Sequence, residues 1–286
     1  MSAEHRTVPT VTLNDGKEMP LLGLGTSKLL GEEAVRVVRT AIDLGYRHFD
    51  TASRYGNEEA LGKAFAEAIA AGDVTREELF ITSKAWHDEQ GTEQVQQAFH
   101  GSLRRLGLEF LDMYMIHWPW PQAGRYNETF EAMAQLQGLG LIQCLGVANF
   151  PAETLADLIE ATGIIPVVNQ VEAHVGFTQS QLAAEHERLG VITEAWYPLA
   201  KGRVLTDPDV KAIGAAVGVS PAQVALRYLL QLGYSVIPKS ASAQRLEENL
   251  GVLDFRLKRD HMDTLAQLEE TRAYGRMGQD PADFPG

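Results

Sequence analysis

The sequence predicts an α/β protein, a (β/α)8 TIM barrel that begins with a β-hairpin and carries extra helices. Three observations predict this fold. Short apolar runs alternate with amphipathic helical segments through about eight repeats, and strict alternation of strand and helix implies a parallel sheet. No linker divides the chain, so residues 1–286 are predicted to form one domain. The length of 286 residues is one that single barrels of this kind commonly reach.

Local patterns predict the hairpin and the first strand and helix units. Residues 10–13 and 17–20 flank Asn14-Asp15-Gly16, and Asp-Gly is a strong turn signal between strands. Later helices are predicted where apolar residues recur at intervals of three and four. In chain order, the next elements are the strand 21–24, the helix 32–44, the strand 48–49, the helix 58–70, the strand 79–84, the helix 92–106 and the strand 111–116.

The alternation continues through the second half of the chain. The predicted elements there are the helix 129–139, the strand 142–148, the helix 151–162, the strand 166–169, a helix opened by residues 178–181, the strand 191–195, an extra helix 207–217, a helix that follows Ser220, the strand 234–237 and the helices 243–251 and 259–270. Thr178 and Gln181 have the spacing of a capping box. The polar tail from residue 271 is predicted to be a surface segment.

Composition excludes several classes of function. The net charge of −13, from 25 basic and 38 acidic residues, disfavours binding to nucleic acid or to an anionic membrane. The single cysteine, Cys144, excludes an intrachain disulfide, and no histidine pair has metal-ligand spacing, so no metal is predicted. Residues 1–16 lack the apolar segment of a signal peptide. We expect a cytoplasmic monomer without membrane or nucleic-acid partners.

Side chains capable of chemistry follow nearly every predicted strand. Because the active sites of such barrels lie at the carboxyl ends of the strands, these side chains are expected to share one rim. The candidates are Asp50 with Tyr55, Lys84, His117, Asn149, Asn169 with Gln170, Trp196 with Tyr197, and Lys239 with Ser240. Taken singly, each has a structural alternative: Lys84 as a solvated loop lysine, for example, or His117 as a core histidine bonded to a carbonyl.

A lysine, an aspartate, a tyrosine and a histidine on one rim suit proton donation. A free phenol has a pKa of about 10, and an ammonium group beside its oxygen lowers that pKa. We therefore expect Lys84 to lower the pKa of Tyr55, and Asp50 to keep Lys84 charged. Tyr55 then gives a proton to an oxygen that gains negative charge. A neutral His117 is expected to donate a hydrogen bond to the same oxygen.

Two cations flank a helix start after the last predicted strand. Lys239 and Arg245 lie where backbone N–H groups and the helix dipole favour anions. In such an acidic chain they predict a phosphate site, although a solvated helix end is the alternative. Gly23 and Gly25 do not form the G-x-G-x-x-G pattern of a Rossmann fold. A nucleotide is therefore expected to bind at the barrel rim.

Taken together, these motifs resemble the aldo-keto reductase family over residues 17–255. The motifs are Gly23-Leu-Gly-Thr26, Gly45-Tyr-Arg-His-Phe-Asp-Thr-Ala52, Tyr55-Gly-Asn-Glu58, Thr82-Ser-Lys84 with Trp86, Asp112-Met-Tyr-Met-Ile-His-Trp-Pro119, Gly146-Val-Ala-Asn-Phe150, Asn169-Gln170, Ile237-Pro-Lys-Ser240, Arg245 and Glu248-Asn249. The combination is far more specific than any single motif. It implies an NADPH-dependent reductase, in which hydride passes from the nicotinamide to a carbonyl carbon.

The resemblance also implies the role of each site residue. The implied catalytic tetrad is Asp50, Tyr55, Lys84 and His117, with Tyr55 as the acid. The implied contacts with NADPH or NADP+ are Gly25, Thr26, Asn149, Gln170, Trp196, Lys239, Ser240, Arg245, Glu248 and Asn249. Of these, Asn149 and Gln170 hold the carboxamide and Trp196 stacks on the nicotinamide. Lys239, Ser240 and Arg245 take the 2′-phosphate. The implied substrate contacts are Ser27, Trp86, His117 and Trp118.

Two positions depart from the family pattern. Ala148 stands where the family usually has serine, so one cofactor hydroxyl contact is expected to be missing. Ser27 replaces an aromatic residue, which is expected to open the pocket and leave Trp86 and Trp118 as its walls. The segment 196–201 and the short loops resemble bacterial members such as the 2,5-diketo-D-gluconate reductase group. That resemblance implies small polar aldehydes, ketoaldehydes or keto sugars as substrates.

Two other functions compete with carbonyl reduction. A lysine Schiff-base aldolase shares this architecture, and Lys84 and Lys239 both lie at predicted strand ends. Covalent labelling of Lys84 by borohydride in the presence of substrate would support it. A non-catalytic nucleotide-binding regulatory subunit is the other competitor. The complete set of Asp50, Tyr55, Lys84 and His117 disfavours it.

Overall fold

The structure is a computed structural model that describes residues 7–272 and 274–284. The strands in this part of the chain are β1 (Thr10–Thr12), β2 (Glu18–Pro20), β3 (Leu24–Gly25), β4 (His48–Asp50), β5 (Phe80–Ala85), β6 (Leu111–Ile116), β7 (Ile142–Ala148), β8 (Val168–Glu172), β9 (Ile192–Trp196) and β10 (Ser235–Val236). The α-helices are α1 (Gly31–Leu44), α2 (Glu58–Ala71), α3 (Thr92–Leu106), α4 (Tyr126–Gly138), α5 (Ala152–Thr162), α6 (Ser180–Leu189), α7 (Pro208–Val217), α8 (Pro221–Gln231), α9 (Ala243–Leu250) and α10 (Arg259–Thr271).

Strands β3 to β10 form one parallel sheet in which each strand pairs with the next along the chain. Leu22, just before β3, pairs in parallel with Val236 of β10. The Gly23 N–H donates to the Val236 carbonyl at 2.9 Å. This contact joins the first strand to the last and closes the barrel. The predicted (β/α)8 barrel is confirmed, as are its hairpin and its extra helices.

The hairpin of β1 and β2 covers the amino-terminal end of the barrel. Leu13 and Met19 are buried in one cluster with Met113 and Val168 from the strands. The Asn14 side chain fixes the hairpin to the loop before β8, since its Nδ2 donates to the Pro166 carbonyl at 3.1 Å. Because this end is covered, access to the barrel is left to the carboxyl ends of the strands.

Most helix starts follow the local signals, but one prediction was wrong. Ser220 caps α8 as expected, and its hydroxyl accepts the Gln223 N–H. Thr178 does not cap α6, which begins at Ser180. Instead, the Thr178 hydroxyl donates to Oε2 of Glu269 in α10 at 2.5 Å. A tertiary contact thus takes the side chain that the local pattern assigned to a cap.

Several element boundaries also differ from the predictions. The strand predicted at 21–24 is only Leu24–Gly25, with an isolated bridge at Leu22. Helix α4 begins at Tyr126, one turn earlier than expected. Strand β8 was predicted to end at Asn169 but continues to Glu172, with register pairs to β9 along its whole length. As a result Gln170 projects from within a strand, and Glu172 is brought to the barrel rim.

Helices α7 and α8 are apolar and lie close together in sequence. No single helix in the described part of the chain is both long and apolar enough to cross a membrane. These two meet the criteria only when taken together, and they are bent by 91° at their junction. Val210 of α7 and Leu229 of α8 are fully buried in the hydrophobic core. Their apolar side chains therefore pack inside the protein.

The carboxy-terminal tail lies at the surface, as its composition predicted, but it is also held against the barrel by specific contacts. The N–H groups of Met277 and Gly278 donate to the buried carboxylate of Glu172 at 2.5 and 2.8 Å. Phe284 is 7% exposed and stacks on Trp118, with ring centroids 4.6 Å apart and planes 6° apart. The tail therefore crosses the open end of the barrel and packs against it.

Candidate active site

A cavity of 590 Å³ opens at the carboxyl ends of the barrel strands. Most side chains predicted to form a site line it. Those residues are Gly25, Thr26, Ser27, Asp50, Tyr55, Trp86, His117, Trp118, Asn149, Gln170, Trp196, Lys239 and Arg245. Tyr197, also a predicted candidate, lines the cavity too. The remaining predicted residues are not part of its wall, namely Lys84, Asn169, Ser240, Glu248 and Asn249.

Asp50 and Lys84 form a buried ion pair beneath the cavity. The Lys84 Nζ donates to Asp50 Oδ2 at 2.5 Å and to the Thr51 carbonyl at 2.9 Å. Both side chains are almost completely inaccessible to solvent. The alternative reading of Lys84 as a solvated loop lysine is therefore wrong. Asp50 ends β4, and Lys84 lies on the adjacent strand β5 two residues beyond Thr82, the register partner of Asp50.

Tyr55 lies on the short turn between β4 and α2, next to both His117 and the ion pair. The centroid of its ring lies 5.6 Å from the centroid of the His117 ring and 5.5 Å from the Lys84 Nζ. Burial, followed by the negative charge of Asp50, raises the pKa of Tyr55 well above its ordinary value. The expectation that this pKa is lowered was therefore wrong: burial and the charge of Asp50 outweigh the positive charge of Lys84, whose ammonium group donates to Asp50 and Thr51 rather than to the phenol.

His117 presents its ring to the cavity in the neutral state. Burial, followed by the charge of Lys84, lowers its pKa well below the ordinary value. Its Nδ1 is buried and has no hydrogen-bond partner among the described residues. The ring is therefore not a core histidine whose Nδ1 is satisfied by a carbonyl. Trp86 packs edge-on against it at 4.8 Å.

Gln170 links the ion pair to a carboxylate that the sequence reasoning missed. Its Nε2 donates to Asp50 Oδ2 at 2.8 Å and to Glu194 Oε2 at 2.6 Å. Glu194 is fully buried, and burial raises its pKa. Its Oε1 accepts from Ser235 Oγ at 3.1 Å and lies 3.7 Å from His48 Nε2. The available signal was a carboxylate inside the apolar strand 191–195.

Asn149 and Trp196 hold each other at the cavity wall. The Trp196 Nε1 donates to Asn149 Oδ1 at 2.9 Å, and Asn149 Nδ2 donates to the His117 carbonyl at 2.9 Å. Asn149 has a φ of 64°, a left-handed conformation that asparagine tolerates better than most residues. The indole orientation is thus fixed. Gly278 covers one edge of the indole so closely that a Cβ added to it would lie 2.5 Å from Trp196 Cη2.

The segment after β10 supplies two cations, Lys239 and Arg245, at one end of the cavity. Lys239 and Arg245 are exposed, and neither forms an ion pair with the described residues. Ser242 caps α9, and its hydroxyl oxygen accepts the backbone N–H of Arg245 at 3.5 Å. Ser240 is buried and accepts the Ser242 N–H at 3.1 Å. Two free cations thus stand beside the start of a helix, as the sequence predicted.

Glu248 and Asn249 serve contacts between elements. Glu248 of α9 accepts a short hydrogen bond from the Ser220 hydroxyl, at the cap of α8. Its carbonyl accepts from Gln223 Nε2 at 3.0 Å. Asn249 is buried and hydrogen-bonds the Tyr46 phenol. The predicted cofactor contacts of Glu248 and Asn249 stay predictions, since neither side chain lines the cavity.

Further parts of the wall were not predicted, among them Leu199, Lys201 and Leu205 of the loop after β9. Gln279 and Gly278 of the tail line the cavity, and Phe284 covers Trp118. Arg54, next to Tyr55, lines the cavity as well. The tail gave no periodic signal, since it is held by two backbone N–H groups and the ring of Phe284 rather than by a repeating apolar face. Arg54 stood inside a motif but was not singled out.

Comparison with known proteins decides the family. The model of the aldo/keto reductase family matches residues 21–270. The chain belongs to this family. The resemblance drawn from the sequence motifs is therefore confirmed at the level of the aldo/keto reductases. The narrower resemblance to the 2,5-diketo-D-gluconate reductase group stays a prediction.

Individual aldo/keto reductases match the chain over almost its full length. An aldo-keto reductase of Mycolicibacterium smegmatis is 43% identical over 276 residues, which cover 96% of this chain and 98% of that protein. The crystal structure of an aldo/keto reductase from Brucella melitensis is 42% identical, with a TM-score of 0.87, and covers 92% of this chain and 100% of that chain. A crystal structure of a Gox0644 mutant in complex with NADPH is 40% identical, with a TM-score of 0.92, and covers 98% and 100%.

Proposed function

We propose that this aldo/keto reductase reduces aldehydes and ketones to alcohols with NADPH, and that Tyr55 is the proton donor. The observation that carries the proposal is the convergence of Tyr55 and His117 on one cavity, above the buried pair of Asp50 and Lys84. Family membership supports the reaction class. The NADPH complex of Gox0644 supports the cofactor. Small polar aldehydes, ketoaldehydes and keto sugars are the proposed substrates.

The cavity residues fit a dinucleotide that carries an extra phosphate. Lys239 and Arg245 are free cations at one end, and with Ser240 they would hold the 2′-phosphate. Both Nε2 protons of Gln170 are donated to carboxylates, so its amide oxygen is the atom that it can offer to a ligand as an acceptor. It would accept from a carboxamide, beside the fixed indole of Trp196. NADPH, when bound, supplies the hydride.

Burial and the charges around the cavity set the protonation states of Tyr55 and His117. The raised pKa of Tyr55 keeps its phenol protonated at neutral pH, so the group is available as an acid. It donates its proton to the substrate oxygen as that atom gains negative charge. The lowered pKa of His117 keeps the imidazole neutral, so it donates a hydrogen bond without releasing a proton. Lys84 stabilises the phenolate left on Tyr55.

The competing functions find less support. A Schiff base needs an uncharged lysine that substrate can reach, whereas Lys84 is buried and paired with Asp50. Lys239 lines the cavity, so a borohydride trap with substrate remains a useful control. The regulatory-subunit alternative leaves the arrangement of Tyr55 and His117 without a role. A monomeric, cytoplasmic protein remains part of the proposal.

The substitution Tyr55→Phe tests the proposal. We expect NADPH oxidation with an aldehyde panel to fall at least about 100-fold, because the acid is lost. Quenching of tryptophan fluorescence by NADPH should persist, since the phenol is not needed to hold the cofactor. Tyr126→Phe is a matched control on α4, where the hydroxyl donates to Asp157 far from the cavity wall.

Each result of this experiment has a clear meaning. Turnover in Tyr55→Phe comparable to that of the unmodified protein removes Tyr55 from the acid role. Absence of quenching by NADPH and by NADH in the unmodified protein contradicts the cofactor assignment. Much tighter quenching by NADPH than by NADH supports the phosphate site at Lys239 and Arg245.

A further inference from the structure

Arg54 is a cation at the mouth of the cavity, separate from the proposed phosphate site. It lies on the turn Ser53–Tyr55, directly before the proposed acid, and it lines the cavity. This turn follows β4, whereas Lys239 and Arg245 follow β10. Strand β3 lies between β4 and the end of the sheet that meets β10. Arg54 therefore lies on a different part of the rim from Lys239 and Arg245.

The guanidinium of Arg54 has no carboxylate partner among the described residues. Its Cζ lies 5.7 Å from the centroid of the Trp86 ring. Glu89, on the turn after β5, accepts instead from Ser53 Oγ at 2.6 Å and from the Trp86 N–H at 2.7 Å. His87 is the other titratable group that senses Arg54, and the guanidinium charge contributes to lowering the pKa of His87. The positive charge of Arg54 is thus available to a ligand.

The position of Arg54 relative to Trp86 points it toward the aromatic side of the cavity. Trp86 contacts His117 at 4.8 Å and Phe284 at 5.9 Å between ring centroids. The guanidinium is therefore at most about 11 Å from the His117 ring. A substrate whose carbonyl meets Tyr55 and His117 has its far end within reach of Arg54.

The charges of the cavity favour an anionic substrate. Among the described residues that line the cavity, Asp50 alone carries a carboxylate, and its charge is neutralised by Lys84. Lys201 also lines the cavity, and its Nζ donates to the uncharged Met277 carbonyl at 2.8 Å. In a protein of net charge −13, a free guanidinium beside an aromatic wall is well suited to bind a carboxylate through two parallel hydrogen bonds.

We propose that Arg54 binds a carboxylate on the substrate, so that the protein prefers aldehydes and ketones carrying a carboxylate at the end remote from the carbonyl group. This inference rests on the proposed carbonyl reduction and adds a substrate class to it. Arg54 is a specificity residue here, since its contact is made both before and during the reaction. The preference is expected in KM more than in kcat.

A matched pair of aldehydes measures the preference. 4-Carboxybenzaldehyde and its methyl ester differ in charge and little in shape. We expect kcat/KM for the acid to exceed that for the ester, and Arg54→Gln to lower this ratio about threefold to tenfold, as for a partly exposed charge pair. Arg54→Lys, which keeps the charge, should restore part of the ratio. Arg259→Gln, at a 94% exposed arginine on α10, should leave it unchanged.

The outcomes separate this inference from the proposed function. A ratio near one in the unmodified protein that Arg54→Gln does not alter overturns the role of Arg54, while reduction of both aldehydes leaves the reductase proposal standing. Reduction of neither aldehyde with NADPH contradicts the proposed function itself. A ratio that falls in Arg54→Gln and also falls as salt is raised supports a direct charge contact.

Discussion

At the scale of single residues, neighbouring groups decide which atom each polar side chain offers to the cavity. Both Nε2 protons of Gln170 are donated to carboxylates, those of Asp50 and Glu194, at 2.8 and 2.6 Å. Its oxygen is left as the acceptor. The sequence predicted Gln170 as a site residue but not this orientation, because Glu194 looked like part of an apolar strand.

Another residue-scale feature is the buried histidine of α6. His186 Nε2 accepts from Asn169 Nδ2 at 2.9 Å, so its proton is on Nδ1, which donates to Thr193 Oγ1 at 2.8 Å. Burial lowers the pKa of His186 from 6.5 to about 4. The folded protein therefore holds this ring neutral at a pH where the unfolded chain protonates it.

We predict that this histidine makes folding sensitive to acid. Because the unfolded state binds the proton more tightly, the stability contribution is complete above pH 6.5 and is lost as the pH falls toward 4. Between pH 7 and 4 the free energy of unfolding of the unmodified protein should fall by about 3 kcal/mol more than that of His186→Gln. Urea denaturation at several pH values measures this difference.

The exposed His100 of α3 provides the control. His100→Gln should keep the acid sensitivity of the unmodified protein, because folding leaves this ring in contact with water. Identical pH profiles for His186→Gln and the unmodified protein would contradict the assignment of this sensitivity to His186.

At the scale of elements, a glycine sets how closely two outer helices approach. Gly62 of α2 is buried, and a Cβ placed on it would lie 2.4 Å from the carbonyl oxygen of Leu106, the last residue of α3. The obstacle is backbone, which cannot rotate away. Gly62 therefore stays in a helix interior, where glycine is otherwise unfavourable.

Substituting Gly62→Ala should destabilise the protein. The added methyl group forces α2 and α3 apart, and overpacking of this kind costs about 1–3 kcal/mol, beyond what alanine gains as a helix former. The midpoint of urea denaturation should fall accordingly. Gly138→Ala, at the end of α4 where nothing lies within 4 Å, should be neutral or stabilising by up to about 1 kcal/mol. Equal midpoints for the two variants would rule out this close contact.

Prediction at the element scale succeeded where one pattern dominates. The apolar run of β6 matched its predicted bounds, because a strand buried on both faces reads as continuous apolar sequence. The end of β8 was missed because Gln170 and Glu172 are polar yet buried. Their partners, Glu194 and the tail, come from distant parts of the chain.

At the scale of the whole molecule, the tail connects the end of the chain to loops from the middle of the barrel. Phe284 stacks on Trp118, and Glu172 accepts the N–H groups of Met277 and Gly278. These contacts place the tail on the aromatic side of the cavity. The barrel itself closes without it, through Leu22 and β10.

Deleting residues 276–286 should leave a folded barrel with a weaker substrate site. Loss of the stacked ring and of the wall at Gly278 should raise KM for an aromatic aldehyde roughly threefold to tenfold. Steady-state kinetics with a fixed NADPH concentration measure the change. A chain that ends at Phe284 keeps these contacts and should match the full-length protein. An unchanged KM after the longer deletion would exclude the tail from the site.

The sequence by itself determined the barrel and the rim positions of most site residues. Period and turn signals are local, and parallel strands bring their carboxyl ends to one edge. Thus Asp50, Tyr55 and His117 were predicted together, and they line one cavity. The tertiary structure alone decided the direction in which the pKa of Tyr55 is shifted, the hydrogen bonds of Glu194 and the position of the tail. These depend on burial and on contacts between residues remote in sequence, which no local pattern records.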